Sequence, residues 1–244
     1  MNTICLLLCS YLGFTVGPAK IEKSLLGAEI VTEVFEIQNF TDDSLRIKVE
    51  FEDFDIDERG QVTFFSPGHF AYSLAPRATI NPEEFVIPPR DVENLRVTFQ
   101  LSRSAEIPEY YGMLLFKSQP IPTRYSAAIS VAGEIGVPVY YTIPEYAVKS
   151  ASFDSLFVHG DSLEIVVSNT GNAHIRITGE AIITTYDTKI VQRDSLPELV
   201  VMSRKQRRLK IPIREKLQVG SYIAKVVLDY GAIELIVGER RFSK

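Results

Sequence analysis

The chain has 244 residues, is 45% apolar, carries a formal net charge of −5 and contains two cysteines and no tryptophan. That length and apolar content suit one large or two ordinary folded domains and exclude a disordered, highly charged chain. The charge excludes the strongly basic domain of a typical nucleic-acid binder, and the missing Trp excludes a site built on a Trp face.

The first apolar run is "ICLLLCSYLGFTV", Ile4 to Val16. It is too short to cross a bilayer as a helix and fits the apolar region of a secretory leader. Residues 1–17 are therefore expected to be a signal peptide, cleaved near Thr15 or Gly17. Cys5 and Cys9 both lie inside it, so the exported chain would hold no thiol, no disulfide and no Cys-ligated metal.

From residue 20 onward, alternation of apolar and polar residues dominates. "EIVTEVFEIQN" sets Ile30, Thr32, Val34 and Glu36 on one face and Val31, Glu33, Phe35 and Ile37 on the other. "LRIKVEFEDF" sets Leu45, Ile47, Val49 and Phe51 against Arg46, Lys48, Glu50 and Glu52. "LRVTFQL", "SLEIVVSN", "HIRITGEAIITTY", "RRLKIPI", "SYIAKVVLDY" and "AIELIVGERRF" follow the same period of two, which belongs to half-buried strands. Between them lie turn sequences such as "NFTDD", "DERG", "IPPRD", "NTGN" and "HGD". No segment sustains a 3.6-residue period. Short strands separated by Gly, Pro, Asn and Asp predict an all-β chain of β-sandwiches.

One motif occurs twice. "EIQNFTDDSLRIKV" and "VVSNTGNAHIRITG" each end a strand at an Asn, turn, and resume with an Arg seven residues later, Asn39 to Arg46 and Asn169 to Arg176. "PEYYGMLLF" and "VGSYIAKVVL" each place Tyr beside Gly at the start of an apolar strand, as in the tyrosine corner of immunoglobulin-like sandwiches, with Tyr110 or Tyr111 and Tyr222 as the corner residues. Charge divides the same way: residues 1–144 hold 11 bases against 19 acids, and residues 145–244 hold 15 against 12. The prediction is two immunoglobulin-like β-sandwich domains in tandem after the signal peptide, 18–143 and 144–244, hinged at "YTIPEYA".

The first domain resembles the N-terminal domain of the periplasmic pilus-assembly chaperones of the PapD type. The resemblance rests on "GPAKIEKSLLGAEIVTEVFEIQNFTDDSLRIKVEFEDF", "EEFVIPPRDVENLRVTFQLS", "EYYGMLLF" and the exit "AAISVAGEIGVPVYYTIPE". It covers most of residues 18–145. The second domain is similar to that family's C-terminal sandwich only loosely, and to Ig-like modules of other bacterial surface proteins. The resemblance implies a protein exported to the periplasm or cell surface that binds partner subunits by edge-strand donation. The donating strand would be Tyr125 to Val131, with Tyr125, Ala127, Ile129 and Val131 on one face. The family also holds a partner's terminal carboxylate with two bases. Lys20 or Lys23 could match the first. The second has no counterpart in "GEIGVPVYY", where Gly136, Val137 and Pro138 carry no base, and Pro138 implies a bulge or an edge. The alternative reading is a structural or adhesive envelope protein of two Ig-like modules without chaperone activity.

Other groups carry less. "DFDIDERG", Asp53 to Gly60, clusters acids as a calcium loop does, but lacks the full spacing of one and reads as a hairpin tip. "SRKQRRLK" packs bases from Arg204 to Lys210 that suit an edge strand, an anionic polymer of the cell wall, or the acidic first domain. His69, His159 and His174 lack metal-ligand spacing. No nucleophile elbow, phosphate loop or carboxylate pair stands out, so no enzyme, cofactor, metal or small-molecule substrate is expected.

Overall fold

The computed structural model describes residues 13–27, 29–102, 106–121 and 132–244. It is all-β, as the alternation predicts. The chain divides into two units, Met1–Phe54 with Phe64–Glu145, and Tyr146–Lys244 with Asp55–Thr63.

The first unit is a sandwich of two sheets. One has the strand order β1 (Phe14–Gly17), β3 (Glu29–Asn39), β8 (Val92–Leu101), β6 (Ala78–Asn81). The other runs β2 (Ile21–Ser24), β10 (Glu134–Thr142), β9 (Glu109–Ile121), β4 (Ser44–Ile56), β5 (Val62–Phe65), with β7 (Glu84–Ile87) also against β4. Phe35, Ile37, Ile47, Val97, Phe99, Phe116, Val137 and Val139 fill the space between the sheets, all at or near zero exposure. Ring pairs lock the two layers together: Phe35 with Phe116 at 5.8 Å and Phe51 edge-on to Phe99 at 6.0 Å.

Of the expected signal peptide 1–17, residues 1–12 lie outside the described residues. Residues Phe14–Gly17 form β1, antiparallel to β3 in the register Phe14↔Asn39 to Gly17↔Glu36. Phe14 is completely buried, and Phe40 N–H donates to Gly13 O at 2.9 Å. A boundary after residue 17 would therefore remove a strand from the core.

The second unit is a smaller sandwich. Its three-stranded sheet runs β11 (Ala151–His159), β12 (Ser162–Asn169), β15 (Gln206–Pro212). Its four-stranded sheet runs β14 (Ile190–Val201), β13 (Ile175–Thr185), β16 (Ser221–Asp229), β17 (Ile236–Ser243). Leu163, Ile165, Val167, Ile175, Ile177, Ile183, Val226 and Leu228 form its core. Tyr222 hydroxyl donates to Gln218 O at 2.9 Å, and in the first unit Tyr110 hydroxyl donates to Ser102 O at 2.9 Å. Tyr110, not Tyr111, is thus the corner residue of the first unit; Tyr111 instead stacks on Tyr72 at 4.3 Å.

The repeated motif has one structural meaning in both units. It is not a hairpin. Asn39 ends β3 in one sheet and the chain resumes as β4 in the other; Asn169 ends β12 in one sheet and the chain resumes as β13 in the other. The motif is the corner by which the chain crosses the sandwich.

Candidate functional site: the open edge of β10

The β9–β10 pair flanks the expected donating strand, Tyr125–Val131, in sequence, and β10 carries Pro138. The ladder runs without a register shift from Glu134↔Lys117 to Thr142↔Glu109. Ser118 N–H donates to Gly133 O at 2.8 Å, Ile143 N–H to Pro108 O at 2.8 Å, and on the opposite side Leu25 N–H to Thr142 O at 2.8 Å. Main-chain groups alternate along a strand. The odd-numbered residues of β10 therefore bond β9, and Glu134, Gly136, Pro138, Tyr140 and Thr142 turn their main-chain groups the other way.

β2 meets that outward side only from Ile21↔Val139 to Ser24↔Thr142. Among the described residues, no strand pairs with the outward side of Glu134–Pro138. Pro138 accordingly costs no bond to β9; the N–H it lacks would have pointed outward. It lies at an edge, one of the two alternatives its presence implied, and not at a bulge. The side chains below are fixed: Val137, Val139, Tyr140 and Tyr141 are buried, so the edge stands on a rigid floor.

The four residues expected to face a partner strand, Tyr125, Ala127, Ile129 and Val131, lie outside the described residues. The two expected anchors are placed apart in role. Lys20 immediately precedes β2, next to the open segment, with its ammonium 3.8 Å from the Glu22 carboxylate. Lys23 sits on β2 opposite Tyr141 and donates to both carboxylate oxygens of Glu33, at 2.7 and 2.9 Å. Tyr141 hydroxyl donates to the same carboxylate at 2.8 Å. Burial, and then the bond to Glu33, push the Tyr141 phenol well above its ordinary range, so it stays a donor. Sequence reasoning missed Glu33 and Tyr141. Its signal was an acid on the otherwise apolar Val31–Phe35–Ile37 face. β10 itself carries no Lys or Arg.

The acidic run does not converge on one point. Asp53 is buried in the first unit, accepting bonds from Ser73 hydroxyl at 2.5 Å and Phe70 N–H at 3.0 Å. In the second unit, Asp55 pairs with Lys205 at 2.8 Å. Asp57 accepts the N–H groups of Arg59 and Gln61, bonds that hold its carboxyl below the ordinary range, with Gln61 foremost. No three metal-ligating side chains come together among the described residues. The basic run is also engaged. Arg208 bonds Glu164, Lys210 lies 3.7 Å from the same carboxylate, and Arg207 donates to Asp57 O at 3.1 Å. Its guanidinium lies on Gly60, at φ +89°, where any Cβ would be 2.4 Å from it.

No family model matches the chain, and no curated protein matches it in sequence. Solved structures do match in shape. A class 5 fimbriae chaperone, CfaA, aligns over 93% of this chain and 98% of its own, at 12% identity and a TM-score of 0.52. A chaperone–tip adhesin complex of CFA/I fimbriae biogenesis aligns at the same coverages and identity with a TM-score of 0.51. The CsuC–CsuE chaperone–tip adhesion subunit pre-assembly complex of Acinetobacter baumannii aligns over 93% of this chain and 97% of that one, at 12% identity and a TM-score of 0.50. The chain has the PapD-like chaperone fold. With identities this low, the likeness carries the fold and leaves the role to the site.

Proposed function

We propose that this chain is an exported, non-catalytic protein of the periplasm or cell surface that binds a β-rich partner subunit by strand addition. The open outward side of Glu134–Pro138 is the observation that carries this reading. Glu134 and Gly136 turn N–H and C=O groups to an edge on which no strand of the described residues lies, and Tyr125–Val131 precedes that edge directly in sequence. Main-chain bonds would supply the pairing, and Tyr125, Ala127, Ile129 and Val131 the alternating side chains. Two of the solved structures of this fold hold a tip adhesin or adhesion subunit, which supports a protein partner. The test is capture of partners from the native cell envelope with the exported chain, followed by mass spectrometry. A stoichiometric β-rich subunit, lost with Ile129→Asp or Val131→Asp while the free protein stays folded, is the expected result. Unfolding of the free protein by those changes would make them core residues and overturn the reading.

A second reading is a structural or adhesive envelope protein of two Ig-like modules. The bonding of Lys23 to Glu33 and the lack of a base on β10 favour it, because neither then offers a two-point clamp for a carboxylate. It expects Lys20→Ala to leave capture unchanged, and only cell-wall polymer, held through Arg204–Lys210, to be recovered. A large loss of a protein partner on Lys20→Ala would rule it out.

A further inference from the structure

The first unit has a second break in its sheet edges. β7 covers β4 only from Leu45↔Ile87 to Lys48↔Glu84, after which Val49 N–H donates to Glu83 O at 2.8 Å. β5 is four residues long and covers the hairpin end of β4. Glu50, Phe51 and Glu52 lie between the two, paired with β9 on their other side. The Val49 bond fixes the direction of Phe51 by alternation: its N–H and C=O face the gap.

The gap opens into a cleft of about 550 Å³. Its opposite wall is β6, which among the described residues is an edge strand bonded to β8 alone. Phe51 and Ile80 give the cleft an apolar floor, and Glu50, Glu52 and Glu83 line it as well. The adjoining loop is held in place by the buried Asp53, whose partner Ser73 in turn accepts the N–H groups of Gly68 and Ala75. The site is therefore formed in advance. Its charge is one-sided. The two neighbouring lysines, Lys48 and Lys117, both bond Glu50, at 2.6 and 2.5 Å. Those bonds hold the Glu50 carboxyl below the ordinary range. Glu52 is 3.9 Å from Lys117, and Glu83 adds a third carboxylate to a lining that holds no Lys or Arg.

We propose that this cleft takes an extended basic segment of a protein partner, added as a short strand to β4 at Phe51. An apolar side chain of the segment rests on Phe51 and Ile80, and a Lys or Arg on either side meets Glu52 and Glu83. The unpaired main chain supplies direction, the apolar floor affinity, and the acidic rim selection against acidic segments.

The test uses the full exported chain, isotope-labelled, at low salt. The probes are a capped six-residue peptide of alternating Lys and Val and its Glu–Val counterpart. The Lys–Val peptide is expected to shift the amides of Phe51, Glu52 and Ile80, and the Glu–Val peptide to leave them in place. Glu52→Lys with Glu83→Lys should weaken the Lys–Val complex about tenfold or more, while the amide spectrum shows the protein still folded. Equal binding of both peptides, shifts confined to other surfaces, or an affinity indifferent to the charge reversal would overturn the proposal.

Discussion

Asn39 and Asn169, one in each unit, bond the turns that follow them in the same way, two and four residues on. Each is buried at the end of a strand. Asn39 Nδ2 donates to Asp43 O at 2.9 Å and to Ile87 O and Pro88 O, while its Oδ1 accepts Thr41 N–H. Asn169 Nδ2 donates to Ala173 O at 2.8 Å and Val201 O at 3.0 Å, while its Oδ1 accepts Gly171 N–H. One side chain thus satisfies the turn that follows it and a distant chain crossing the same end of the sandwich. Asp could not replace it, because a carboxylate would face those carbonyls without a donor.

Asn169→Ala should destabilise the protein by about 3 kcal/mol, since it takes a donor from two buried carbonyls, and Asn39→Ala by about 1–2 kcal/mol, since Thr41 hydroxyl still donates to Asp43 O and Asp91 N–H to Pro88 O. Asn→Asp at either site should cost at least as much. Denaturant unfolding checks this; a loss of under about 1 kcal/mol at both sites would mean that water replaces the amide.

Keeping β1 should matter for folding. A chain beginning at residue 13 is expected to be markedly more stable than one beginning at residue 18, and Phe14→Ala should cost about 3–5 kcal/mol as a large-to-small change in the core. N-terminal sequencing of the protein isolated from its own cells should find any cut at or before Gly13. Recovery of a folded protein starting at residue 18 would contradict this.

Lys23→Ala should destabilise by about 1–2 kcal/mol, a figure held down by the half-exposed ammonium, because it leaves the Glu33 carboxylate buried with Tyr141 as its remaining partner among the described residues. Adding Glu33→Gln should recover part of that loss, because a neutral amide needs no cation. Additive effects in this double-mutant cycle would show that Lys23 and Glu33 do not act as a pair.

Acid should weaken both units. Bonds from Lys117 and then Lys48 depress the Glu50 carboxyl, and the bond from Arg208 depresses that of Glu164. Because the folded values lie below the unfolded carboxylate value near about 4.3, the stability they contribute is complete above that pH. It is lost as pH falls through the folded values. Glu164→Gln should therefore lower stability at neutral pH and flatten its decline in acid. Melting temperatures measured between about pH 6 and about pH 2.5 test it; an unchanged acid slope would assign the decline to other carboxylates.

The all-β class, the pair of sandwiches and the faces of β3, β4 and β8 were legible in the sequence, because a period of two assigns every side chain of a strand to one face or the other. Tyr222 and the Tyr110–Tyr111 alternative were legible from a short motif beside Gly. What alternation could not carry was which strand neighbours which. Alternation therefore left the turns at Asn39 and Asn169 without a sheet assignment, and only the pairing showed them to be crossings between sheets. For the same reason Phe14–Gly17 read as the end of a leader: a short, uncharged Phe-Thr-Val-Gly run looks alike in a membrane signal and in a core strand, and only pairing with β3 separates them. Lys23 carried the right charge to be an anchor, but its partner lies ten residues away on another strand in the opposite sheet. The open edge at Glu134–Pro138 and the gap at Phe51 are likewise properties of where neighbouring strands stop among the described residues, set by long-range pairing that local sequence does not encode.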